Sequence, residues 1–228
     1  MADQPIDRAG QIAGAGVETG ARAQTLTRSD WLALALETLV AEGIDRVKIQ
    51  VMAKRLGVAR SSFYWHFEST EALHRAMLDE WLQKNTGPIM ERAMRPAPDI
   101  VRALSSVFEC WFDGQLFDPK LDIAVRLWAR RSEVVHAVVE QADAMRVEAL
   151  TKMFLRYGTP PTEATVRARV VYFTQIGHDT LETVEAPNIR FSYSAEYIHA
   201  FTGHRPDERQ IAELHAKIRQ VYPDFQPV

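Results

Sequence analysis

Few residues in this chain have the types and spacing that covalent or metal chemistry requires. His178 and Glu182 stand four apart in a helix-periodic segment, where two side chains on one face share a metal ion or act as acid and base. Two residues do not complete such a site. No Cys or further His lies at ligand spacing, no Gly-rich phosphate loop is present and no nucleophile elbow appears. No catalytic residue, metal or cofactor is therefore assigned, and no enzyme is expected. A denser set of polar and aromatic side chains lies between Lys48 and Phe67, and what it offers is recognition rather than catalysis.

The elements that hold this set are helical. Thr27 or Ser29 is placed to cap a helix whose apolar stripe runs through Trp31, Leu32, Ala35, Leu36, Leu39 and Val40 and stops at Gly43. Ile49, Met52, Ala53 and Leu56 repeat at helical spacing up to Gly57, and a short segment from Arg60 to His66 follows. A Gly-containing turn lets two helices cross steeply enough for the second to enter a major groove about 12 Å wide. Ser69 then caps a longer amphipathic helix through Trp81 and Leu82 that fades near Gly87 and Pro88. Further helices are expected at roughly 98–114, 119–131, 132–157, 161–185, 193–202 and 206–221. Residues 1–26, rich in Gly, Ala and Gln, read as a flexible tail whose Arg22 is available to DNA.

Composition narrows the class. With 228 residues and 46% apolar content the chain buries a substantial core, as one larger domain or a small one beside a larger one. The lone Cys110 excludes an internal disulfide framework, no secretory signal or membrane-length apolar run is present, and a cytoplasmic protein is expected. Residues 27–67 carry six Lys or Arg against four Asp or Glu, whereas residues 68–228 carry 19 against 23. Only the N-terminal part therefore suits a polyanion.

The run Ala53-Lys54-Arg55-Leu56-Gly57-Val58, then Phe63-Tyr64-Trp65-His66-Phe67, then Ser69, Glu71, Ala72 and Leu73 resembles the tetracycline-repressor (TetR) family over about residues 27–82. The resemblance implies an all-α chain: a tail over 1–26, a three-helix helix-turn-helix DNA-binding domain over 27–72, and a helical ligand-sensing and dimerisation domain over 73–228. It implies a homodimeric regulator, most simply a repressor that leaves double-stranded operator DNA when a small-molecule inducer binds. Ala59, Arg60, Ser61 and Ser62 would lead the recognition helix, with Arg60 able to bond guanine O6 and N7. Tyr64 and His66 match positions that meet phosphates or the groove wall, and Lys48 and Gln50 would approach the backbone. Phe63 and Phe67 read as core, while Trp65 suits either role. Where many members carry a phosphate-clamping Lys this chain has Thr70, for which Arg75, Lys54 or Arg55 are candidate substitutes. That departure leaves open a helical interaction protein without operator binding.

One recognition helix per chain requires a second copy about one helical turn away. Val166, Val170, Phe173, Gly177, Leu181 and Val184 follow one another at spacings of three or four, and with Tyr193, Tyr197 and Phe201 they form the expected dimer face; an intramolecular core stripe is the alternative. An effector pocket is expected among Phe108, Trp111, Phe112, Trp128, Met145, Phe154 and Tyr172, with Arg126, Gln175 and His178 as polar handles. Core packing is the competing role for each of these.

Overall fold

A computed structural model describes residues 26–181 and 185–227. Glu182, Val184 and the expected tail up to residue 25, Arg22 included, lie outside the described residues. Every regular element among the described residues is helical.

Helix α1 (Arg28–Glu42) starts at a reciprocal cap, in which Thr27 Oγ1 accepts from the Asp30 amide and the Asp30 carboxylate accepts from the Thr27 amide at 2.7 Å. It ends at Gly43, whose φ of +83° lets the chain turn away. After a 3-10 turn at Ile44–Arg46 come α2 (Ile49–Leu56), a second 3-10 helix (Arg60–Trp65) and α3 (Thr70–Asn85), the last capped by the Ser69 hydroxyl.

Gly87 and Pro88 do not close this part of the chain; they open a new helix, α4 (Gly87–Met94), after a break of one residue at Thr86. Proline in a first turn lacks only an N–H that would have no intrahelical partner, and its fixed φ suits a helix start. The body continues with α5 (Ile100–Phe112), α6 (Pro119–Ala129), α7 (Glu133–Arg156) and α8 (Pro161–Thr180). It closes with α9 (Pro187–Ser192), α10 (Ser194–Thr202) and α11 (Glu208–Val221). The single helix expected at 193–202 is thus preceded by a short separate one.

Two apolar cores organise these helices. The first joins Trp31, Phe63, Phe67 and Trp81 of the N-terminal helices to Leu121, Val125 and Trp128 of α6 and Val135 and Val139 of α7. Helix α6 therefore packs directly on α1 and α3. The second core, around Leu104, Phe154, Tyr172, Ile198 and Ile218, holds α5, α7, α8, α10 and α11 together. Cys110 is buried beside Ile89 and Phe117, and burial pushes its thiol up to about 12, which keeps it unreactive.

Candidate nucleic-acid interface and adjoining cavities

The turn after α2 is built on Gly57, whose left-handed backbone (φ +69°) brings the Val58 amide to the Ala53 carbonyl at 3.0 Å. Val58 then packs partly into the first core, and Ala59 is extended before the 3-10 helix begins. Phe63 and Phe67 point inward: Phe63 meets Trp31 edge-on at 5.3 Å and stacks with Phe67 at 5.5 Å. With these two filling the core, their neighbours must face out. Lys48, Gln50, Ala59, Arg60, Ser61 and Tyr64 are exposed, and Ser62, His66 and Thr70 are half-buried. Trp65 is 87% exposed, which excludes a core role for it.

The cations of this surface differ in freedom. Arg55 is held by Glu42 and by Thr38 Oγ1 at 3.0 Å, Arg46 is held by Glu42, and Arg28 lies 4.6 Å over the Phe67 ring. Among the described residues Lys48, Lys54, Arg60 and Arg75 form no ion pair, so their charge faces solvent unspent. Arg55 is the one candidate substitute for the missing clamp whose charge is already engaged.

Residues 32–77 match the family model described as "Bacterial regulatory proteins, tetR family". The chain carries a TetR-family DNA-binding domain. Solved structures similar over most of the chain include AmtR of Mycobacterium smegmatis, with 18% identity, 91% of this chain and 99% of that chain covered, and a TM-score of 0.59. A transcriptional regulator of Streptomyces coelicolor A3(2) follows at 21% identity, with 78% and 98% covered and a TM-score of 0.56. The fatty acid degradation regulator FadR of Bacillus halodurans shares 14% identity over 88% and 97% of the chains, with a TM-score of 0.54. These likenesses establish a common fold. No curated protein matches the chain.

The TetR-type domain is fastened to the helical body through α3. Trp81 Nε1 donates to Asp122 Oδ1 at 2.9 Å, and Asn85 Nδ2 donates to the Asp118 carbonyl at 2.8 Å. Asp122 sits in a buried cluster: Arg126 Nε reaches its Oδ2 at 2.7 Å and Arg146 Nη1 its Oδ1 at 3.3 Å. Arg146, wholly buried, also donates to Tyr172 Oη at 2.8 Å and Thr86 Oγ1 at 3.0 Å, while Arg126 bonds both oxygens of Asp143. Burial pushes the Asp122 carboxyl up, but the two guanidiniums outweigh it and hold Asp122 below the ordinary carboxylate range. Arg126, expected as a polar handle, and Tyr172, expected in the pocket lining, are therefore members of this cluster and border neither of the two cavities lined by other expected pocket residues. Local periodicity gave no signal for Arg146, although the Asp122/Arg126 and Asp143/Arg146 spacings of four and three mark charge on otherwise apolar faces.

Two of the cavities along the body's helices bear on the expected pocket residues. A slot of about 90 Å³ is walled by Phe108, Trp111, Phe112, Gln175 and His178, with Phe191, Tyr197 and Phe201 opposite. A wider cleft of about 880 Å³ lies between the end of α1, α6 and the end of α8, and includes Val40, Ile44, Leu127, Trp128, His178 and Asp179. Trp128 thus lines the cleft instead of the slot, Phe154 is wholly buried in the second core, and the half-buried Met145 lines neither. His178 and Arg190 border both spaces.

The face expected to pair with a second copy is split. Val166, Val170 and Phe173 are about half-exposed along α8, Leu181 is 77% exposed just beyond it, and Tyr193 and Tyr197 are also exposed. Gly177 is half-buried. Phe201 is not part of this surface: it is buried against Phe108, because α10 turns that side toward α5. Among the described residues no group of three or more His, Cys, Asp or Glu is placed to hold a metal, and no helix is long and apolar enough to cross a membrane.

Proposed function

We infer that the protein is a homodimeric, ligand-responsive regulator, most simply a cytoplasmic repressor, that grips operator DNA with the 3-10 helix Arg60–Trp65 and its flanks. The observation carrying this reading is a run of exposed side chains, Arg60, Ser61, Tyr64 and an almost fully exposed Trp65, together with exposed Lys48 and Lys54 that form no ion pair among the described residues. Arg60 reads a base edge, Tyr64, His66, Lys48 and Gln50 contact the backbone, and Lys54 and Arg75 supply the charge that Thr70 lacks. The apolar face of α8 with Leu181, Tyr193 and Tyr197 holds the second copy.

Release follows a population shift. A ligand among α5, α8 and α10, or in the adjoining cleft, favours a packing of α6 and α8 in which α3 holds the recognition helices at the wrong separation. By reciprocity, operator DNA lowers ligand affinity by the same factor.

The test is binding of the purified protein to its own upstream DNA at two salt concentrations, beside an Arg60→Ala, Tyr64→Ala variant. A two-fold-symmetric footprint that weakens with salt is expected, with Arg60 alone contributing about 1 to 3 kcal/mol of base discrimination. A folded dimer that shifts no duplex specifically refutes the DNA reading and leaves an interaction protein in its place.

A further inference from the structure

Where the slot and the cleft meet, three ionisable side chains are poorly partnered. His178 Nδ1 stands 3.5 Å from Asp179 Oδ1 and its Nε2 stands 3.6 Å from Glu185 Oε2, too long for good hydrogen bonds, and both nitrogens are buried without a hydrogen-bond partner among the described residues. Asp179 is only 9% exposed; its Oδ1 accepts from Gln175 at 2.9 Å, but its Oδ2 is sealed from water and accepts from nothing among the described residues. A buried carboxylate oxygen without a donor is costly, and such an atom beside a cavity marks a place where a donor is missing.

The sign of the missing group follows from the neighbours. Lys120, Arg130 and Arg131 also line the cleft, Arg131 being paired with Asp45, but the guanidinium that acts on Asp179 is Arg190, which forms no ion pair among the described residues and lies over Phe191 at 5.5 Å. Beside His178, the carboxylates of Asp179 and Glu185 thus outnumber the one guanidinium that acts on Asp179. Behind it the slot presents Phe108, Trp111, Phe112 and Tyr197, rings whose faces attract a cation and accept a flat apolar body. Burial pushes the Asp179 carboxyl up, against the Gln175 hydrogen bond and the nearby Arg190, and a bound cation would restore its charge.

We propose that the effector is a small protonated amine with a flat apolar body, its nitrogen held between Asp179 and Glu185 beside His178 and its body directed into the aromatic slot. This rests on the reading of these cavities as the effector site. The slot, at about 90 Å³, is smaller than the roughly 150 Å³ void that encloses benzene, so an entering ring must widen it. Glu185 and Tyr197, both substantially exposed, form the wall that can move. The amine end faces the cleft that reaches Val40 and Ile44 of the DNA-binding domain, so occupancy at this point is felt by both halves of the chain.

Isothermal titration of the full chain without DNA, using 2-phenylethylamine, 2-phenylethanol and 3-phenylpropionate, tests the assignment. The amine is expected to bind at least tenfold more tightly than either of the others, and Asp179→Asn to lose at least tenfold for the amine while leaving the alcohol unchanged. Because that variant keeps the side chain's shape and removes a buried charge, its melting temperature should not fall, so the loss reports recognition and not misfolding. Equal amine affinity in wild type and Asp179→Asn overturns the proposal, as does no amine binding at millimolar concentration. Tightest binding by 3-phenylpropionate, lost in Arg190→Gln, overturns it in favour of an anionic effector. Since no DNA is present, these results stand apart from the duplex-shift experiment, and each reading fails on its own data.

Discussion

Replacing Asp122 with alanine removes the carboxylate that α3, α6 and α7 share. Arg146, with no exposed surface, then keeps only a 3.7 Å approach to Asp143 and its hydrogen bonds to Thr86 and Tyr172. Breaking a buried pair from one side costs about 3 to 5 kcal/mol, and the remaining Asp143 contact places this case near the lower end. The indole N–H of Trp81 also loses its acceptor, which adds about 1 kcal/mol. The sum, roughly 4 kcal/mol, corresponds to a fall in melting temperature of about 8 to 16 °C for a chain of this size. Calorimetry at one fixed protein concentration measures it, since association contributes to apparent stability. Asp122→Asn, which retains an acceptor for Trp81 but not the charge, should lie between wild type and Asp122→Ala. A loss below about 1 kcal/mol in the alanine variant would refute the view that this cluster clamps α3 to the body.

Two further outcomes are expected. Burial holds the imidazoles of His74 and His215 below their ordinary value, so the unfolded chain takes up their protons first as pH falls below about 6.5. Stability should therefore be full above that pH and decline as pH falls below it, with a shallower decline in His74→Gln; equal slopes in melting temperature for both proteins would remove His74 from the account. On the proposed pairing face, Phe173→Glu should convert the dimer to monomer in sedimentation equilibrium, and an unchanged dimer would mean that the exposed stripe of α8 is not the interface.

The local grammar of this chain was readable. Thr27, Gly43, Gly57 and Ser69 stand at helix ends because caps and left-handed turns depend on residues within four positions, and all four end or begin elements in the structure. Trp31 followed from its apolar stripe in the same way, and Phe63 and Phe67 from the general tendency of large aromatics to fill a core. Pro88 misled because a proline after a long helix signals a stop and a start equally, and only packing of Ile89 and Ala93 decides for α4. What spacing does not carry is pairing between distant helices. Asp122 and Arg146 meet across 24 positions, and Arg126 and Tyr172 across 46, so a residue that looks like a polar handle in sequence and one that looks like pocket lining are partners of one another in space. Phe201 shows the same limit, since its helix has two apolar sides and tertiary contact chooses which one is inside.

The 16 residues of α3 connect two fastened ends, with Ser69 next to the buried Phe67 at one and the Trp81 and Asn85 anchors at the other. From Trp81 back to Thr70 the helix is a rigid arm of about 16 Å at 1.5 Å per residue. A tilt of about 5° at the anchor displaces the far end by about 1.4 Å, more than the roughly 0.5 Å range over which N–H···O bonds keep good length. In the proposed dimer, two such arms related by a two-fold axis would move in opposite directions, doubling the change in span. On that proposal, a repacking of the body too small to alter its cores is large enough to put the two recognition elements out of register with a duplex.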